Sequence, residues 1–173
     1  MPRSFDTFAD YDGSVDVVHR AFGDADYWRA RLTESGVDET RLESMRVGGE
    51  SGHDDTIEIA TLQVVHSKNL PALVTQLHRG DLHIRRTEKW GPIVDGTATA
   101  SIGGSIKDAP ANLSGTAMLS PTGDGGSRVR FMVTVGVRVP FVGGKVERFI
   151  IAHLTDVVEL EQRFTAEWIK NHA

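Results

Sequence analysis

From residue 141 to 171 the chain contains no proline, and Val146, Phe149, Ile150, His153, Val157, Leu160, Phe164 and Trp168 return every three or four positions. That spacing describes an amphipathic helix with one apolar stripe, its opposite face carrying pairs such as Glu159 with Arg163. About 30 residues at ~1.5 Å each make a rod of roughly 45 Å. A compact chain of 173 residues has a radius of gyration near ~16 Å, hence a diameter of about 40 Å. The helix must therefore cross the whole domain, and its stripe needs a matching apolar surface. The segment just before it supplies one. Val129, Phe131, Val133, Val135, Val137 and Val139 alternate with Arg128, Arg130, Thr134 and Arg138, the two-residue period of a strand, which Pro140 ends.

The rest of the chain reads as shorter elements. Residues 3–11 alternate loosely as a strand, Asp12-Gly13 turns the chain, and Ser14 is placed to cap a helix carrying Val15, Val18 and Phe22. A second short helix fits 24–35, with Ala25, Trp28 and Leu32 on one face and Gly36 at the C-terminal cap position. Strands are expected at 40–48, 55–65, 82–90, 97–107, 112–120 and 127–139, and a short helix at 70–79 with Pro71 in its first turn. Hairpin-like spacing implies an antiparallel meander. The fold class is α+β, and residues 1–173 read as a single domain without repeat or linker.

Composition removes several classes of function. Acidic residues number 24 against 19 basic ones, a net charge of −5, so a nucleic-acid binder is not expected. The absence of cysteine excludes disulfides, thiolate metal sites and a cysteine nucleophile. No apolar run approaches the ~20 residues of a membrane span, so integral membrane association is not expected. The polar start Met1–Asp6 lacks a secretory pattern, and a cytoplasmic protein is expected. His78 and His83 straddle Gly80-Asp81, and His53 precedes Asp54-Asp55, neither with ligand spacing, so no metal or other cofactor is expected. Gly143-Gly144-Lys145 lacks the rest of a phosphate loop, and Gly-x-Ser-x-Gly is absent. No catalytic residue is assigned.

A strand, two short helices, a run of antiparallel strands and one long C-terminal helix together resemble the helix-grip fold of the START/Bet v 1-like (SRPBCC) superfamily. The likeness runs over 3–171. It is carried by the strand Phe5–Tyr11, the double helix holding Tyr27-Trp28, and Val137-Arg138-Val139-Pro140-Phe141-Val142-Gly143-Gly144-Lys145-Val146-Glu147 leading into the long helix. The Gly-Gly-Lys-Val-Glu stretch resembles an uncharacterised, largely actinobacterial branch, a domain of unknown function. The resemblance implies a curved sheet gripping the helix, with a cavity between them for a lipid, sterol, polyketide or other apolar molecule, and no shared catalytic motif.

A dry void is expensive. At ~24 cal/mol per Å³, an empty cavity of ~500 Å³ costs about 12 kcal/mol, comparable with the ~5–15 kcal/mol by which whole domains are stable. Such a space must hold water or ligand, or be filled by large side chains. Aromatic content is only 7%, and Ala98, Ala100, Gly103, Gly104, Gly115 and Ala117 are small; they either leave room or permit close contact and sheet bending. The expected lining is Phe131, Val133 and Val135 from the last strand and Phe149, Ile150, His153 and Val157 from the helix, with Trp90 and Met118. The leading expectation is a monomer or weak dimer that binds a small apolar ligand. One alternative is an enzyme of polyketide cyclase or hydrolase type, with His153 as acid or base. The other is an interaction module with a vestigial cavity. Gly143-Gly144 serves either as a hinge or as a close-packing point. Arg85-Arg86 and Lys89-Trp90, with Arg128, Arg130 and Arg138, form basic outer strand faces that are either solvated or in transient contact with a membrane surface.

Overall fold

The computed structural model, which describes residues 2–172, contains β1 (Arg3–Tyr11), α1 (Val15–Phe22), α2 (Ala25–Glu34), β2 (Glu39–Val47), β3 (Ile57–Val65), α3 (Ala72–Thr75), β4 (Leu82–Trp90), β5 (Ala98–Ile106), β6 (Ala111–Pro121), β7 (Ser127–Val137) and α4 (Gly143–His172). The strands form one antiparallel sheet in the order β1-β7-β6-β5-β4-β3-β2. Helix α4 lies along β1 and β7, while α2 packs against β2 and α4. This is the helix-grip arrangement.

Local signals place the first elements. Ser14 Oγ accepts the Val17 N–H at 3.3 Å, and Asp24 caps α2 by accepting the Asp26 N–H at 2.9 Å. Gly36 follows α2 with φ of 72°, the left-handed conformation that a glycine reaches without strain. In β2 the inward residues Leu42 and Met45 stand three apart, which strict alternation forbids. A bulge between Leu42 and Ser44 adds the missing residue, so both pack on the core opposite Thr61 and Ile59.

The expected helix at 70–79 is corrected to a single 3-10 turn, Ser67–Asn69, and the four residues of α3. A short helix is stable only when it buries an apolar face. Here no residue of α3 is buried, and Leu77 is exposed.

The inner face of the sheet is unevenly filled. At one end Phe22, Tyr27, Trp28, Trp90, Phe164 and Trp168 lie with neighbouring ring centroids 5.1–6.3 Å apart. Ala98, Ala100 and Ala117 belong to the same buried cluster, so small strand residues there admit large rings rather than leave a void. Gly115 answers a different need. A Cβ on it would sit 2.3 Å from Met132 O and 2.6 Å from Val133 Cγ1, so β6 and β7 come too close for any side chain. At Gly143 a Cβ would lie 2.6 Å from Val137 O, which makes this glycine a close-packing point.

Candidate functional site

Strand β4 sends Arg86, Glu88 and Trp90 to one face, at positions two apart. The register places Trp90 opposite Ile57, Glu88 opposite Ile59 and Arg86 opposite Thr61, all inward. On α4, Glu147, Leu154, Glu161 and Trp168 are seven apart and so share one face. Two charged residues of β4 and two of α4 therefore point into the grip.

The Glu161 carboxylate is the centre of a buried cluster. Arg86 holds it through two bonds, Nη1 to Oε2 at 2.8 Å and Nη2 to Oε1 at 3.1 Å. Arg31, from α2, donates Nε to Oε2 at 3.0 Å and brings Nη2 against the same oxygen. The Arg31 guanidinium also lies 4.6 Å from the Trp28 ring centre and donates to Tyr27 Oη at 3.2 Å. Thr165 donates to the Glu161 carbonyl at 2.8 Å, so the Tyr27 hydroxyl donates to Thr165 Oγ1 at 2.6 Å. Glu88 accepts from Trp90 Nε1 at 3.1 Å on Oε1. Its Oε2 is buried without a hydrogen-bond donor, 3.4 Å from Arg86 Nη2. Two arginines and two glutamates balance in charge.

Burial alone would push the Glu161 carboxyl upward; Arg31 and Arg86 outweigh it and hold the group at about 2. Burial likewise raises the Tyr11 and Tyr27 hydroxyls, so both stay protonated at neutral pH. Held at about 2, Glu161 is an anion at neutral pH and a poor base.

Beyond the aromatic cluster, apolar residues on both walls keep part of their surface in water. On the sheet these are Ile84, Gly104, Ile106 and Leu113; on α4 they are Ile150, Leu154 and Val157. On the sheet, these residues stand in inward rows next to those of Arg86 and Glu88. Two hollows are lined by other residues. One, of about 500 Å³, is bounded by Arg3, Ser4, Phe5, Arg148, Ile151 and Ala152. The other, of about 570 Å³, lies on the outer sheet face around Met118, Arg130 and Met132.

Most of the expected lining residues face inward. Val133, Val135 and Trp90 are buried, Phe131 is half-buried against the core, and Ile150 and Val157 are half-buried on α4. Three placements are corrected. Met118 is 48% exposed on the outer face, because Ala117 and Leu119 take the inward positions of β6. His153 is exposed, and Phe149 is 37% exposed. The cause is a rotation of α4: with Glu147, Leu154 and Glu161 inside, residues 149 and 153 turn to solvent. Arg86 is corrected too, from an outer basic face to the buried cluster. The remaining outer arginines are largely neutralised, Arg128 by Asp10 at 2.6 Å and Arg130 by Asp6 at 3.1 Å, across the β1–β7 pair.

Arg31, Glu88, Glu147 and Glu161 were invisible to an apolar stripe. Two signals carried three of them, the seven-residue spacing of Glu147, Leu154 and Glu161 and the alternation that groups Arg86 and Glu88 with Trp90; none marked Arg31.

A family model described as a protein of unknown function (DUF2505) matches residues 6–169. The chain belongs to the DUF2505 family. An uncharacterized protein of Mycobacterium tuberculosis strain H37Rv, Rv0481c, is 64% identical over 173 residues, 99% of each chain. Norcoclaurine synthase from Thalictrum flavum is similar in fold, with a TM-score of 0.59 and 11% identity over 99% of this chain and 88% of that one. ZhuI aromatase/cyclase from Streptomyces sp. R1128 has a TM-score of 0.60 and 6% identity over 98% and 94%. This DUF2505 chain thus has the helix-grip fold of the START/Bet v 1-like superfamily.

Proposed function

We propose that the protein binds a small, mostly apolar molecule of lipid, sterol or polyketide type in the cleft between the first half of α4 and the inner face of β4–β6. The observation that carries this reading is the partial exposure of apolar residues on both α4 and the inner face of β4–β6, beside Glu88, whose buried Oε2 lacks a hydrogen-bond donor. Covering the walls would contribute roughly 25 cal/mol per Å² of apolar surface removed from water. A hydroxyl or N–H on the ligand would supply the donor that Glu88 lacks and so set orientation. Binding is favoured over catalysis because a carboxylate held near 2 is a poor base and His153 faces solvent.

Nile red, a neutral apolar dye, tests the cleft. Wild-type protein is expected to bind it with a rise in fluorescence. Leu154→Trp, which fills the cleft, is expected to weaken binding about tenfold, roughly 1.4 kcal/mol. His153→Ala, one residue along but on the exposed face, is expected to leave it unchanged. Equal binding by all three proteins, or none by the wild type, would end the proposal.

A further inference from the structure

The hollow of about 500 Å³ beside β1 has a composition unlike the cleft. Phe5, Ile151 and Ala152 give it an apolar wall, and two arginines, Arg3 from β1 and Arg148 from α4, stand over it. Both guanidinium groups converge on Gly144. A Cβ there would meet Arg3 Nη2 at 3.4 Å and Arg148 Nη1 at 4.0 Å. Like charges brought this close repel unless an anion lies between or beside them. One of the protein's own carboxylates, Glu147, lies beside Arg3, with Nε 3.8 Å from Oε1, and none pairs with Arg148 among the described residues. Arg148 is exposed and, among the described residues, takes part in no ion pair or side-chain hydrogen bond.

Arg3 is only loosely matched. Its Nε is buried without an acceptor, and the nearest carboxylate oxygen, Glu147 Oε1, is 3.8 Å away, beyond hydrogen-bond length. Glu147 Oε2 accepts the Val137 N–H at 2.9 Å, and its buried Oε1 faces Arg3 as a charge without a hydrogen bond. The Ser4 hydroxyl is paired with Thr134 Oγ1 at 2.9 Å, so it does not compete for the space. In a chain of net charge −5, two arginines against the single carboxylate of Glu147 leave one positive charge in excess above an apolar wall, a local reversal of the overall field.

We infer that this hollow binds an amphipathic oxyanion, a carboxylate or phosphate group on an apolar body, with Arg3 and Arg148 on the anionic end and Phe5, Ile151 and Ala152 against the apolar part. Guanidinium forks suit planar, two-point recognition of such groups. The site lies apart from the α4–sheet cleft and does not depend on it.

Decanoate supplies the chemistry as a free acid, and phosphatidylglycerol vesicles supply it as a membrane headgroup. Calorimetric titration of decanoate below its micelle concentration, with amide shifts followed by NMR, is expected to show binding that perturbs Ser4, Arg148 and Ala152. Arg148→Gln removes an exposed side chain without a partner, so the fold is retained, and it is expected to weaken decanoate at least about tenfold. Leu154→Trp, which blocks the cleft, is expected to leave decanoate affinity as it is. Co-sedimentation with vesicles that is lost in Arg148→Gln, with no binding of the free acid, would support the same site and assign its anion to a bilayer. Decanoate and vesicles bound equally well by Arg148→Gln, or bound by neither protein, would overturn the inference. So would decanoate binding lost in Leu154→Trp instead.

Discussion

Glu161→Gln is expected to destabilise the protein by about 3–5 kcal/mol, because it strands two buried guanidinium groups with Glu88 as their only counter-charge. The geometry explains the size. Arg86 grips both oxygens and Arg31 one, so the amide would present an N–H to a donor at one of those contacts. Acid probes the same group without mutation. The carboxyl moves from an ordinary value of 4.5 when unfolded to about 2 in the fold, a shift worth roughly 3 kcal/mol. Because the folded value is depressed, that stability is complete above the unfolded value and disappears as pH falls toward about 2. Urea midpoints measured at neutral pH and near pH 2 should therefore show a wide gap between wild type and Glu161→Gln that closes in acid. Identical midpoints at neutral pH would remove the cluster from any account of stability. Replacing Arg31, Arg86, Glu88 and Glu161 together with apolar residues is expected to recover much of the loss, since no lone charge is then left inside.

Trp90→Ala is expected to lose about 3–5 kcal/mol of stability, the range for deleting a large buried aromatic side chain. Trp90 is 1% exposed, packs on Phe22 at a 5.1 Å centroid distance and donates its indole N–H to Glu88. Trp90→Phe keeps most of the ring and removes the donor, leaving Glu88 without its one hydrogen bond from the indole. The expected loss is about 1.5–3 kcal/mol, the range for a bond to a charged group. Denaturant titration of the two variants separates packing from hydrogen bonding. A Trp90→Ala protein as stable as wild type but unable to bind Nile red would return this residue to the ligand lining.

Element order was legible because its signals are local. Ser14, Gly36 and Pro140 act within a few residues, and the alternation of β7 and the proline-free run of α4 need no distant partner. The orientation of α4 was not legible in the same way. Counting apolar residues put His153 and Leu160 on the buried stripe and passed over Glu147 and Glu161. What overrides that count is charge pairing across 130 residues to Arg31 and 75 residues to Arg86. A periodic pattern carries no record of such partners. Met118 was misplaced for a simpler reason: its apolar character was weighed above its position between Ala117 and Leu119, which the strand sends the other way. At 70–79 helical propensity met no surface to pack on, so only one turn formed.

Two anchors now define how α4 can move. Near its start, Glu147 is bonded to the end of β7 while Gly143 is wedged under Val137; two-thirds of the way along, Glu161 is bolted to α2 and β4. A rod fastened at both points does not swing like a flap. In the proposed function a guest therefore enters along the partly exposed side of the cleft and not by a swing of α4, so crosslinking the middle of the helix to the sheet is expected to leave entry open.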